Sequence, residues 1–87
     1  MFDDLIAICS PIEEVNGIEA FIIHFNRRNH SNAKVRDRIS VQMPGHIVLR
    51  NLGFSDEEVP AINDYIDRNL AAFVDMALER TECVSKA

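Results

Sequence analysis

The stretch Glu13–Phe25, EEVNGIEAFIIHF, decides how the chain is read. Asn16-Gly17 is the preferred dipeptide of a type I′ hairpin turn, because both central residues need positive φ. With that turn in place Val15 faces Ile18, Glu14 faces Glu19 and Ile12 faces Phe21. Two glutamates opposite each other repel, so their face is expected to be wet. The second arm runs on through Phe25. The first arm reaches back to Leu5–Cys9 only if it tolerates Pro11, which cannot donate to a ladder and so marks an edge strand or a bulge.

A second hairpin is expected in RISVQMPGHIVLR, Arg38–Arg50. Ile39, Val41 and Met43 alternate with Ser40 and Gln42, the period of a half-buried strand. Pro44-Gly45 fits the two central positions of a type II turn. His46–Arg50 is then the return strand, with Ile47 and Leu49 on one face.

After the break at Asn51–Phe54 a long helix is expected. Ser55 and Glu58 have the spacing of a capping box, and Phe54 and Val59 that of a hydrophobic staple. Asp56, Glu57 and Glu58 suit the positive end of the helix dipole. Pro60 deletes a backbone donor, so either Ser55–Val59 is a separate tight turn or the helix runs through it. Val59, Ile62, Ile66, Leu70, Phe73 and Ala77 form one apolar stripe that should end near Arg80–Glu82. The expectation is a single α+β domain over residues 1–87: a four-stranded antiparallel sheet of two hairpins, with one long C-terminal helix packed on one face.

At 87 residues, with 47% hydrophobic residues, the chain reads as one globular domain of modest core, and not as a disordered segment. No apolar run approaches the ~18 residues that span a bilayer, and the acidic start, MFDDLIAICS, is unlike a secretory leader. Cys9 lies in an apolar run and Cys83 near the C-terminus; free thiols in a cytoplasmic protein are expected.

Charge is unevenly placed. Residues 1–55 hold six acids and six bases, whereas residues 56–87 hold eight acids against three bases, so the last third carries the whole net charge of −5. Within the neutral part, residues 26–38 contain five bases and one acid. Two binding readings follow. In the favoured one, Glu57, Asp64, Asp75, Glu79 and Glu82 form an acidic helix face opposite the apolar stripe. That face docks on a protein with a basic surface, such as a nucleic-acid-handling enzyme. Small bacterial or phage regulators and inhibitors have this compositional character. In the alternative, Arg27, Arg28, Lys34, Arg36 and Arg38 contact nucleic-acid phosphates. Against the alternative stand the absence of interleaved aromatics and the acidic whole chain. The competing reading of residues 26–38 is a solvated connection between strands, and of the acids a solvated helix face. The flank Tyr65, Ala72 and Met76 either packs under the Asn51–Phe54 loop or joins two copies of the chain.

Signals of catalysis are poor. His24, His30 and His46 lack metal-ligand spacing, and no phosphate-binding loop, dinucleotide fingerprint or nucleophile elbow is present. Cys9 is expected to be buried with a raised thiol pKa. A non-enzyme without metal or cofactor is therefore expected.

Overall fold

The computed structural model describes residues 4–29, 31 and 34–85, the last three by backbone alone. Strands β1 (Ile6–Cys9), β2 (Glu13–Val15), β3 (Ile18–Arg28), β4 (Arg36–Met43) and β5 (Ile47–Leu52) precede helices α1 (Glu58–Arg68) and α2 (Leu70–Ser85). The sheet is antiparallel in the order β1-β3-β4-β5, with β2 also paired to β3. The α+β class is as expected, but there are five strands and two helices, not four and one.

The extra strand arises at Pro11. β1 and β2 both pair with β3, and the ladder lapses over Ser10–Ile12. There Ser10 Oγ accepts the Ile22 N–H at 2.8 Å, and the Ile12 N–H donates to Thr81 Oγ1 on α2, also at 2.8 Å. The side chains thus supply partners where proline interrupts the backbone pattern. Asn16 and Gly17 take φ of 52° and 81°, as a type I′ turn requires, and Val15 pairs with Ile18 and Glu14 with Glu19. Between β4 and β5, Gly45 has positive φ, but so does His46, which lengthens the expected turn to three residues. A bulge at Ser40/Val41 then sets Arg50 opposite Ser40.

The helix divides at Asn69, whose φ of −122° and ψ of 21° leave the helical region. Its N–H bonds to the Ile66 carbonyl, and its Nδ2 donates to the Tyr65 carbonyl at 2.9 Å. The carboxamide thereby completes the end of α1, while the Asn69 carbonyl accepts the first bond of α2 from Phe73 N–H. The break lets Ile62 and Ile66 of α1, and Phe73 and Ala77 of α2, all face the sheet with at most 4% exposure. Leu70, placed by periodicity on the same stripe, sits at the joint and is 38% exposed instead.

The capping box is present: Ser55 N–H donates to Glu58 Oε1 and Glu58 N–H to Ser55 Oγ. The turn at Ser55 runs directly into α1, so Pro60 falls in the first helical turn, where its missing N–H costs little. Helices and sheet enclose Cys9, Phe21, Ile23, Phe25, Ile39, Val41, Met43 and Phe54 between them. Phe25 meets Phe73 edge-on at 5.8 Å, and Tyr65 closes the aromatic group.

Candidate binding faces

Strand parity sorts the basic stretch onto two faces. Along β3, Phe21, Ile23, Phe25 and Arg27 point beneath the helices; Ile22, His24, Asn26 and Arg28 point the other way. Along β4, Asp37, Ile39, Val41 and Met43 point beneath the helices, while Arg36, Arg38, Ser40 and Gln42 point out. The expectation of a loop over residues 26–38 is therefore corrected. β3 continues to Arg28 and β4 begins at Arg36, so only residues 29–35 connect them. His30 and Asn32 of that connection lie outside the described residues, and Lys34 is exposed.

Arg27 is removed from the outward set. Its Nε donates to Asp37 Oδ2 at 3.0 Å, and its two terminal nitrogens grip both oxygens of Glu58. The guanidinium lies 4.1 Å from the centroid of Phe54, and only 11% of the side chain is exposed. Asp37, 4% exposed, also accepts from Asn29 Nδ2. The grip of Arg27 and the Ser55 N–H lower the Glu58 carboxyl to about 2. This residue fastens β3 to α1.

The remaining cations share the uncovered face. Arg28 pairs across the ladder with Arg36, Asn26 with Arg38, and His24 with Ser40. β5 adds Leu52 opposite Arg38 and Arg50 opposite Ser40. A depression of about 390 Å³ is lined by His24, Asn26, Arg36, Arg38, Ser40 and Arg50. Arg36 Nε donates to Asn26 Oδ1 at 2.7 Å, and His24 Nδ1 lies 2.8 Å from Ser40 Oγ. Neither Arg38 nor Arg50 has a carboxylate partner among the described residues. At the far end, Asp4 accepts the Arg28 N–H at 2.9 Å; that bond chiefly, with the charges of Arg28 and Arg36, holds its carboxyl below the usual range. Apolar side chains flank the cations: Ile6 and Ile8 on β1, Ile47 and Leu52 on β5, all 44–50% exposed.

The acidic residues occupy the opposite layer. Glu57, Asp64, Asp75, Glu79 and Glu82 are all exposed. Asp64 is bonded to Arg68 one turn on, at 3.0 Å, and Asp67 pairs with His46 at 2.7 Å. The outward arginines of the sheet lie on the other face from this layer. Of the flank Tyr65, Ala72 and Met76, Tyr65 leans on Phe25 and Phe73, Met76 is half-buried against the core, and Ala72 is exposed. Met76 also borders a depression of about 340 Å³ between β1 and α2, together with Ala7, Ile8, Cys9, Glu79 and Arg80. Cys9 itself is free and 2% exposed, its thiol pKa raised by burial.

Among the described residues, no group of three or more His, Cys, Asp and Glu could hold a metal ion, and no helix is long and apolar enough to cross a membrane. Sequence reasoning missed Arg50. A hairpin without irregularity would set it opposite Ile39, and only the bulge at Ser40/Val41 brings it beside Ser40, on the same face as Arg36 and Arg38. Comparison with protein families, curated proteins and solved structures yields no match.

Proposed function

We propose that the chain is a non-catalytic binding module whose working surface is the uncovered face of its sheet, and that the partner is a polyanion. One observation carries this reading: Arg36, Arg38 and Arg50, from two adjacent strands, line a single depression, and two of them lack any carboxylate partner among the described residues. Arginine's planar fork suits phosphate oxygens, and Asn26 and Ser40 add neutral hydrogen-bonding groups between the forks. The net charge of −5 does not oppose this, because the acids are concentrated in the helical layer and potentials act locally. The buried free thiol of Cys9 fits a reducing compartment, which supports a cytoplasmic placement.

The test is the salt dependence of heparin or oligonucleotide binding. With three phosphate contacts to a single strand, log K falls against log salt with a slope of roughly −2. Arg38→Ala with Arg50→Ala should flatten it by roughly 1.4 and weaken binding about tenfold at low salt. Binding unchanged by that pair removes the proposal.

A second reading keeps the acidic layer as the docking surface for a basic protein, such as a nucleic-acid-handling enzyme, in an inhibitory or regulatory role. It is supported by the exposure of Glu57, Asp75, Glu79 and Glu82 and by the placement of the sheet's outward arginines on the other face, where they do not cover these acids. Capture of a basic partner that survives Asp75→Lys with Glu79→Lys removes it.

A further inference from the structure

We infer that the polyanion received by the sheet face is single-stranded nucleic acid, its phosphates on the arginine row and its bases turned onto His24 and the aliphatic shoulders. The inference rests on the reading of that face as a polyanion surface and narrows it.

The first argument is the width of the cationic row. Alternate residues on a strand stand about 6.7 Å apart, and neighbouring strands about 4.8 Å apart. Arg36 and Arg38 are therefore about 7 Å apart along β4 at their backbones, and Arg50 lies on a diagonal from Arg38 of about 7–8 Å. Arg28 extends the row from the next strand, opposite Arg36. The result is one oblique line across β3, β4 and β5. Beyond it, Ile22, Gln42 and Ile47 form the next cross-strand rung, so among the described strand residues no second cationic line runs parallel to the first. A single backbone needs one line; a duplex laid on a sheet presents two.

The second argument is what stands beside the row. Ile6 and Ile8 flank Asn26 and His24 on one side, and Leu52 stands opposite Arg38 on the other. These side chains are about half exposed. A duplex shows such groups only phosphate, sugar and groove edges, with its base faces hidden in the stack. A single strand can turn base faces onto them and cover apolar surface on both partners. His24, in the lining of the depression and paired with Ile8 in the ladder, adds a ring to the same surface. Aliphatic side chains are weaker platforms than aromatic ones, so modest affinity and little sequence preference follow.

An acidic protein segment could satisfy the arginines too, and is treated as an outcome of the test. Fluorescence anisotropy would compare a labelled 15-nucleotide oligo(dT), a 15-base-pair duplex, heparin and polyglutamate at low salt, using the full chain. The variants are Arg38→Ala/Arg50→Ala and Ile8→Ala/Leu52→Ala, each checked by circular dichroism for an unchanged fold; all four residues are exposed, so folding should survive. The expected result is oligo(dT) bound about tenfold more tightly than the duplex, with polyglutamate weakest. The arginine pair should weaken every polyanion. The aliphatic pair should weaken oligo(dT) several-fold and leave heparin unchanged. Duplex bound as well as oligo(dT), or heparin and oligo(dT) equally sensitive to the aliphatic pair, overturns the single-strand inference and leaves the polyanion surface standing. Polyglutamate bound most tightly overturns it in favour of an acidic protein partner. No polyanion bound at low salt overturns both.

Discussion

Arg27 on β3 holds both oxygens of Glu58 at the start of α1 while its Nε donates to Asp37 on β4. Three elements meet at this one guanidinium, stacked on Phe54. Asp37 is almost wholly buried, so removing its cation leaves a charge with Asn29 as its one side-chain donor among the described residues. Arg27→Met keeps the aliphatic stem over Phe54 but strands both carboxylates, and should cost about 2–4 kcal/mol by urea denaturation. Arg27→Lys should recover only part of this, because an ammonium cannot reproduce the fork. A loss below about 1 kcal/mol for Arg27→Met would show that the network is dispensable.

The same contact sets a pH dependence. Glu58 titrates at about 2 when folded, below its ordinary value of 4.5. A depressed carboxylate adds stability that is fully present above the unfolded value and is lost as pH falls through the folded one. The protein should therefore lose stability between about pH 4.5 and 2, with about 1 kcal/mol of that loss absent in Glu58→Gln. Identical acid profiles for the two would contradict the assignment.

Two glycines with positive φ should behave differently. A Cβ on Gly53 would collide with the Asp37 carboxylate, lying 2.5 Å from its Cγ and closer still to Oδ1, whereas a Cβ on Gly17 meets nothing within 4 Å. Asp37 is held by Arg27 and Asn29 and cannot swing aside cheaply. Gly17→Ala should cost about 1 kcal/mol from backbone conformation alone, and Gly53→Ala at least about twice that. Equal thermal midpoints would overturn the comparison.

Cys9 is shielded by the sheet and α2, its Sγ 3.5 Å from the Phe73 carbonyl oxygen. Burial raises its thiol pKa, which lowers the reactive thiolate fraction further. In a Cys83→Ser background, modification by a disulfide reagent should track unfolding in denaturant. Rapid labelling of the native protein would show that β1 opens locally.

Much of the fold is legible in residues whose local chemistry has one solution. Asn16-Gly17 selects its turn because few other residues accept two successive positive φ angles, and Ser55/Glu58 form their box because each satisfies the other's backbone donor. The alternation of Ile39, Val41 and Met43 gives the buried face of β4 directly. The helix break is not legible: Asn69 is an ordinary helix-surface residue by periodicity, and its bonds to the Tyr65 and Ile66 carbonyls appear only in three dimensions. The basic stretch misleads because its charge hides its parity. Arg27 and Asp37 are strand partners facing the helices, and Arg28, Arg36 and Arg38 face away. Read as alternating strand residues, the stretch separates into a buried anchor and an outward row, which Arg50 then joins.

The acidic layer offers an independent check on the placement of charge. Asp75 and Glu79 stand one turn apart on α2 and repel. Replacing both with lysine should leave stability within about 0.5 kcal/mol of the parent and leave oligonucleotide binding intact or slightly stronger. A large fall in oligonucleotide affinity would place the binding surface on the helices.

The most direct measurement is a map of backbone amide shifts as oligo(dT) is titrated into the ¹⁵N-labelled protein. The account predicts that the largest changes fall on His24–Arg28, Arg36–Ser40 and Ile47–Leu52, with α2 amides from Ala71 to Glu82 nearly still. Changes concentrated on α2, or none at all at saturating oligonucleotide in low salt, would contradict it.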